Sequence, residues 1–114
     1  MYQAREKEIA IYADLHGFKP WAEWFAHLQD TTARARILAR LKRVKQGNYG
    51  DYKPVGEGVF ELRFFFGPGY RVYFGELEGS IILLLCGGEK SSQAQDIKQA
   101  IDFWREYHER LGNS

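Results

Sequence analysis

The sequence predicts an α+β fold in which helices pack against an antiparallel sheet. Apolar residues recur at helical spacing in the first third of the chain, and three aromatic and β-branched runs separated by glycine follow as strands. The chain has 114 residues, of which 45% are hydrophobic and 16% aromatic. This length and composition suit one folding unit with a buried core, so we expect a single domain over residues 1–114.

The first third of the chain predicts one strand and two helices. Residues 6–13 alternate between apolar and polar side chains, as in a half-buried strand. Pro20 suits the first turn of a short amphipathic helix that extends to Gln29. A second helix follows the capping residues 30–32 and ends at Gly47. Its predicted buried stripe comprises Ala33, Ile37, Leu38, Leu41 and Val44.

The remainder of the chain predicts a loop, a three-stranded meander and a last helix. Residues 48–58 are polar and contain Pro54, which is typical of a loop. Three consecutive strands follow, and the run over residues 81–86 is apolar on both faces, as expected for a central strand. The last helix begins near Ser91, and we expect all helices on one face of the sheet. Its predicted apolar stripe comprises Ile97, Ala100, Ile101, Trp104, His108 and Leu111.

Composition argues against several classes of protein. The one cysteine, Cys86, lies in an apolar run, which predicts a buried thiol and neither a disulfide framework nor a zinc site. No apolar run reaches the length of a membrane span, and the first residues lack the pattern of a signal peptide. The three histidines lie far apart, without the spacing of metal ligands. We therefore expect a soluble, cytoplasmic protein that needs no metal or other cofactor.

Positive charge is concentrated in the second predicted helix and the loop after it. The chain carries a net charge of +1, but residues 34–53 hold seven basic residues and one acidic residue, a local charge of +6. Arg36, Arg40 and Arg43 recur at helical spacing on one face. Such a segment can attract phosphate groups or an acidic protein, or it can be an ordinary solvated helix face.

A second group of basic residues is expected on the sheet. Strand alternation places Glu61 and Arg63 on one face, and a hairpin symmetric about Pro68 makes Arg63 and Arg71 diagonal neighbours on an open surface. Glu61 can neutralise the pair, which is a purely structural explanation. Alternatively, the two planar guanidinium groups form a phosphate site. The lysines expected near this surface are Lys53 and Lys90.

A long segment of the chain resembles the small toxins of the RelE/ParE superfamily, above all the HigB-like branch known as addiction-module killer proteins. The resemblance extends from about Gly47 to Ala100 and is most specific in the combination of ELR, GPGYRVYF and GGEKSSQAQDI. It implies a RelE-like fold with an N-terminal strand and two helices, an antiparallel meander, and a C-terminal helix packed on the sheet. It also implies a cognate helix-turn-helix antitoxin, through which alone the toxin reaches operator DNA.

The resemblance further implies a ribosome-dependent endoribonuclease, or mRNA interferase. RelE-like and HigB-like members cut mRNA on the ribosome, where the 2′-OH of the RNA attacks the adjacent phosphate without a metal ion. Arg71 corresponds to the phosphate-clamping arginine, and Arg63 and Lys90 match further basic positions. Lys53 lies near the position of a proton-transferring lysine or histidine. The basic helix would contact RNA through Arg36, Arg40, Arg43, Lys42 and Lys45.

The sequence departs from this pattern at the start of the last helix. Several RelE-like nucleases carry a tyrosine or histidine there as acid or base, whereas residues 91–97 offer only Gln93 and Asp96. Tyr73 could substitute for the missing group if its pKa, ordinarily near 10, were lowered. ParE-type members share the fold, lack RNase activity and inhibit DNA gyrase, so a gyrase-directed toxin is the alternative. A structural adaptor is a third possibility.

Overall fold

The computed structural model describes residues 6–112, which form a five-stranded mixed sheet with helices on both faces. A single 3₁₀ turn, Lys90–Ser92, leads directly into the last helix. The predicted α+β class, with a C-terminal helix packed on the sheet, is confirmed. In chain order the elements are β1 (Glu8–Ile11), α1 (Pro20–Ala26), α2 (Thr31–Lys45), β2 (Tyr52–Gly56), β3 (Val59–Arg63), β4 (Tyr70–Leu77), β5 (Ile81–Glu89) and α3 (Gln93–Gly112).

The strands lie in the order β1-β5-β4-β3-β2. The predicted meander is confirmed, since β3, β4 and β5 pair antiparallel, while β1 joins β5 in parallel. The prediction of a loop over residues 48–58 is wrong, because β2 pairs with β3 at the edge of the sheet. Pro54 obscured this strand in the sequence, although an edge strand tolerates proline because one row of its amides needs no partner in the sheet.

The hairpin between β3 and β4 has a different register from the one we expected. Arg63 lies directly opposite Arg71, and Glu61 lies opposite Tyr73. The hairpin is therefore symmetric about Gly67, not about the neighbouring proline, and the Phe64 amide continues this register by donating to the Tyr70 carbonyl at 3.1 Å. The two arginines are direct cross-strand neighbours and not diagonal ones.

The helices cover both faces of the sheet, so the prediction that they share one face is wrong. Leu62 and Phe74 contact the layer formed by α1 and α2, whereas Val59 and Leu85 contact α3 on the opposite side. Each strand of the meander has apolar side chains on both faces, and each face must be covered to remove those side chains from water.

Helix boundaries follow their local signals closely. The Asp30 carboxylate accepts a hydrogen bond from the Ala33 amide at 3.0 Å and caps α2, while α1 ends at Ala26, one turn before the predicted end. The predicted stripe of α2 is buried except for Leu38, which is 52% exposed. In the predicted stripe of α3, Leu111 and His108 are exposed. Within residues 6–112, none of the helices combines the length and the apolar character that a membrane crossing requires.

The ring of Trp104 on α3 lies directly against the backbone of the sheet. A Cβ atom at Gly75 would approach this ring to 2.1 Å, so the helix can pack at this distance only because position 75 has no side chain. We predict that Gly75→Ala lowers the free energy of unfolding by about 1–3 kcal/mol through overpacking. Gly112→Ala is the control, since a Cβ there meets no atom within 4 Å. Equal stability of the two variants in chemical denaturation would contradict this account of the packing.

Candidate functional site

Four polar side chains from β3 and β4 meet on the face of the sheet that α3 covers. We call Glu61, Arg63, Arg71 and Tyr73 the arginine cluster. The Oε1 atom of Glu61 lies 3.8 Å from Nε of Arg71 and 4.0 Å from Nε of Arg63. Gln93, the first residue of α3, donates from Nε2 to Oε2 of Glu61 at 2.8 Å. A single carboxylate thus lies between two guanidinium groups and is held from the helix side.

Burial of this cluster differs from the expected open surface. Arg71 is 4% exposed and Glu61 is fully buried, so the prediction of an open sheet face at Arg71 is wrong. The N-terminus of α3 covers this part of the sheet and removes the side chain from water. The side chain of Arg63 retains 30% exposure and also lies 3.9 Å from the Asp51 carboxylate. Because isolated buried charges are costly, the burial of Arg71 depends on Glu61.

The arginine cluster also concentrates unsatisfied polar atoms. Among the described residues, five buried side-chain nitrogen or oxygen atoms have no hydrogen-bond partner. Four of them belong to this cluster: Glu61 Oε1, Arg63 Nε, Arg71 Nε and the hydroxyl oxygen of Tyr73. Buried polar groups are ordinarily hydrogen-bonded, and their concentration in one place is typical of functional sites. The two Nε–H groups are donors that can serve an anion.

Burial makes Tyr73 and Cys86 poor sources of reactive anions. The side chain of Tyr73 is fully buried, and desolvation together with the nearby Glu61 carboxylate raises the pKa of Tyr73 above its ordinary value. This direction is opposite to the lowering that a general base requires. Burial, with a contribution from Asp96, likewise raises the pKa of the Cys86 thiol to about 12, and the predicted buried thiol is confirmed.

The two lysines predicted near the cluster are placed differently. The structure brings Lys90 close to Arg71, since a Cβ at Gly69 would lie 3.2 Å from Cβ of Lys90 while Arg71 Nη1 donates to the Gly69 carbonyl at 3.3 Å. Lys53 is exposed on the edge strand β2 and lies opposite Glu61 in the strand register. Lys53 is therefore on the outer margin of the same row of residues.

Asp96 lies beside the arginine cluster in the first turn of α3. A Cβ at Gly88, the register partner of Arg71, would lie 1.8 Å from Oδ2 of Asp96. Ser92 Oγ donates to this oxygen at 2.6 Å. Burial raises the pKa of Asp96, and the hydrogen bond from Ser92 opposes the rise. The sequence identified this carboxylate only as an available polar group, since the strand pairing that brings Gly88 beside Arg71 was not known.

The arginine face of α2 forms one wall of a groove that also reaches Arg63. This groove, which we call the arginine groove, has a volume of about 370 Å³. Its charged lining consists of four arginines against one aspartate, so it is strongly positive. The structure thus joins two features that the sequence presented separately. The residues that line the groove are Arg36, Ala39, Arg40, Arg43, Asp51, Arg63, Phe64, Phe65 and Phe66.

Arg40 fixes the shape of the arginine groove. Its guanidinium group donates to three backbone carbonyls: that of Tyr49 at 2.8 Å, that of Arg63 at 3.0 Å and that of Asp51 at 2.6 Å. A Cβ at Gly50 would lie 2.8 Å from Arg40 Nε, so the chain can wrap this side chain only at a glycine with positive φ. Most of the donors of Arg40 are therefore committed to holding α2 against β2 and β3.

Lys42 and Lys45 lie on the opposite side of α2 from the arginine groove. They border a second, more apolar groove of about 390 Å³ beside the edge strand β1, and we call it the apolar groove. Because α2 buries its central stripe in the core, its two flanks face different surfaces. The predicted set of RNA-binding residues is therefore divided between two sites. The residues that line the apolar groove are Ile9, Ile11, Trp21, Leu38, Leu41, Lys42, Lys45 and Leu84.

Three consecutive phenylalanines each pair with an arginine in the arginine groove, which sequence reasoning missed. Arg40 lies 5.0 Å from the ring centroid of Phe64, Arg63 lies 5.4 Å from that of Phe65, and Arg36 lies 4.8 Å from that of Phe66. Phe65 is 74% exposed. The signal in the sequence was the run FFF before a Gly-Pro-Gly turn, since alternation in a strand cannot bury three adjacent rings on one side.

Within residues 6–112, no group of three or more His, Cys, Asp or Glu side chains is arranged to hold a metal ion. The guanidinium and ammonium groups of these sites are suited to the recognition of anions. The arginine cluster offers buried and fixed donors, whereas the arginine groove offers exposed ones next to aromatic rings.

The committed donors of Arg40 predict a large difference in stability between two arginines of the same helix face. Arg40→Gln should lower the free energy of unfolding by about 2–3 kcal/mol, because hydrogen bonds from a charged group to three carbonyls are lost. Arg43→Gln, on the exposed part of the same stripe, should change it by less than about 0.5 kcal/mol. Chemical denaturation of both variants tests this, and equal values would remove the structural role of Arg40.

No protein-family model matches the chain. A protein of Haemophilus influenzae, described as an uncharacterized protein, is 52% identical to it over 77 residues. The aligned region covers 68% of this chain and 78% of the relative. At this identity and coverage, the chain belongs to the same family as the Haemophilus influenzae protein.

Proposed function

We propose that the protein is a RelE-like toxin of a type II toxin–antitoxin system that cleaves mRNA on the ribosome. The observation that carries this proposal is the direct pairing of Arg63 and Arg71 across a buried Glu61, with Lys90 beside them. Two cross-strand arginines are unfavourable unless something negative joins them. A phosphate accepts hydrogen bonds from both guanidinium groups in the planar geometry that arginine favours. The resemblance to RelE-like toxins assigns the same residues to the scissile phosphate.

The reaction requires the protein to stabilise negative charge, to accept one proton and to donate another. The 2′-oxygen bonds to phosphorus while the bond to the 5′-oxygen breaks, which leaves a 2′,3′-cyclic phosphate and a 5′-hydroxyl. The phosphorane transition state carries additional negative charge. We assign the stabilisation of this charge to Arg63, Arg71 and Lys90. One group must accept the proton of the 2′-OH, and another must protonate the 5′-oxygen.

Three side chains are candidates for proton transfer: Tyr73, Lys53 and Asp96. Tyr73 is a weak candidate, since its hydroxyl is buried and its pKa is raised. Lys53 is exposed on the same row and keeps the role that the resemblance implies. Asp96 is a further candidate as a proton donor, because its pKa is raised by burial and it lies beside the partner of Arg71.

The lack, among the described residues, of an accessible tyrosine or histidine near the arginine cluster favours a second candidate function. A RelE-like fold without an accessible tyrosine or histidine at the start of the last helix is also compatible with a ParE-type toxin that inhibits DNA gyrase. The burial of Tyr73 strengthens this alternative, because it removes the proposed substitute for the missing acid or base. Primer extension on cellular messages distinguishes the two, since codon-phased cuts support the nuclease and supercoiling defects with intact messages support the gyrase inhibitor.

Arg71→Lys is the variant that best isolates the phosphate contact. Because Arg71 is buried against Glu61, Arg71→Ala would leave the carboxylate with less compensation and would destabilise the fold. Lysine retains the charge but cannot present the planar pair of donors. We predict that Arg71→Lys reduces cleavage of ribosome-bound mRNA by about 10²–10³-fold. Thermal unfolding checks that the variant is folded, and near-normal cleavage by folded protein would contradict the assignment.

We further propose that the antitoxin binds away from the arginine cluster, in the apolar groove. Ile11 and Leu38 are 41% and 52% exposed there, and Lys42 and Lys45 border them. This combination suits an amphipathic segment with apolar anchors and acidic flanking residues. A short adjacent gene for a helix-turn-helix protein would support both toxin functions and count against a structural adaptor.

Calorimetry on the purified toxin–antitoxin pair tests this location. Leu38→Glu should weaken the complex by well over tenfold, because a carboxylate would replace an apolar side chain that the bound antitoxin buries. Arg63→Ala should leave the affinity within roughly tenfold, or about 1.4 kcal/mol. The reverse result, with a large loss for Arg63→Ala alone, would mean that the antitoxin covers the arginine cluster directly.

A further inference from the structure

We propose that the arginine groove binds single-stranded RNA and that Phe65 stacks on one of its unpaired bases. This inference deepens the proposed function, on which it rests for the choice of RNA as the ligand. The groove and Phe65 lie outside the residues that the resemblance assigns to the scissile phosphate, apart from Arg63.

Phe65 is an unusual side chain in its own turn. Phe64 is 4% exposed and Phe66 is partly buried, whereas Phe65 is 74% exposed. A lone exposed aromatic ring needs no explanation by itself, since folded proteins expose many apolar atoms. This ring, however, lies on the wall of a groove whose charged lining is four arginines against one aspartate. An aromatic ring beside guanidinium groups is the combination by which proteins bind unpaired bases and their phosphates together.

The arginines near the ring favour a flat partner. Arg63 lies 5.4 Å from the centroid of Phe65 and remains 30% exposed, so ring and guanidinium form a cation–π pair at the surface. The two neighbouring rings pair with Arg36 and Arg40 in the same way. These contacts orient the wall of the groove, and the exposed area of Phe65 remains open to a base.

The arginines of the groove have two different roles: one holds the structure together, and others are free to bind phosphate. Arg40 donates hydrogen bonds to three backbone carbonyls and therefore maintains the shape of the groove. Arg36 and Arg43 are exposed on the same wall and can follow a phosphate backbone. Asp51 is the acidic residue among those that line the groove.

The arrangement selects a single strand over a duplex. In a duplex each base is stacked between its neighbours, so only an unpaired base offers its face to an aromatic side chain. Arg63 lines the groove and also belongs to the arginine cluster. A strand that lies in the groove would therefore lead into the proposed phosphate site, and the groove would hold nucleotides that flank the scissile bond.

Binding to a short RNA tests the proposal without any cleavage. The probe is a fluorescein-labelled single strand of about ten 2′-O-methyl nucleotides, which lacks the attacking hydroxyl, and the readout is fluorescence anisotropy. Phe65→Leu should weaken binding by about tenfold or more, the usual effect of losing one base–aromatic stack. Phe65→Trp should restore it. Arg36→Gln with Arg43→Gln should lower the slope of log affinity against log salt, whereas Phe65→Leu should leave the slope unchanged.

The controls separate stacking from general effects of substitution. Phe18→Leu alters another exposed phenylalanine, 51% exposed in the loop before α1, and should leave affinity unchanged. A strand with abasic sites should bind the native protein as weakly as the intact strand binds Phe65→Leu, and that variant should lose nothing further. Equal affinity of the native protein and Phe65→Leu for the intact strand, or tighter binding of a duplex, would overturn the proposal.

Failure of the groove proposal and failure of the proposed function give different results. Codon-phased cleavage on ribosomes together with an unaffected Phe65→Leu variant would refute the groove and leave the nuclease intact. Loss of affinity in Phe65→Leu together with intact cellular messages would support the groove and refute the nuclease.

Discussion

The burial of Glu61 between two arginines is the constraint on which the rest of this structure depends. A carboxylate removed from water is costly unless cations and donors surround it, and Arg71, Arg63 and Gln93 supply them. The arginines in turn occupy directly opposed positions of a hairpin, where without a negative neighbour they would repel each other. The Glu61 side chain thus couples three features: the register of the hairpin, the position of the start of α3 and the alignment of the two guanidinium groups.

A second coupling links α2 to the sheet. The helix buries its central stripe, directs its arginines toward β3 and directs Leu38, Lys42 and Lys45 toward β1. Arg40 fixes this orientation through carbonyls on the segment before β2 and at the end of β3. As a result, one helix serves two surfaces of different chemistry. In the proposed function, RNA and the antitoxin would bind on opposite flanks of this helix.

Much of the fold was predictable because its signals are local. Helix caps, the apolar stripe of α2 and the three strands of the meander are encoded in adjacent residues. The failures concern long-range or marginal features. Pro54 obscured an edge strand, and the centre of the β3–β4 hairpin was placed one residue too late, at Pro68 instead of Gly67. The apolar residues on both faces of the strands require helices on both sides of the sheet, which the prediction did not take into account. The candidate site residues were proposed from charge and motif, and their burial depends on how α3 covers the sheet, which residue spacing does not encode.

In the proposed function, Glu61 holds Arg63 and Arg71 together as one anion site. The most direct measurement follows the ¹⁵N-resolved Nε–H resonances of these arginines by NMR while inorganic phosphate is added. The account predicts that both resonances shift along one saturation curve, and that Glu61→Gln, which keeps the shape but removes the charge, changes both together. Resonances that respond separately, or that ignore phosphate while other arginines respond, would contradict it.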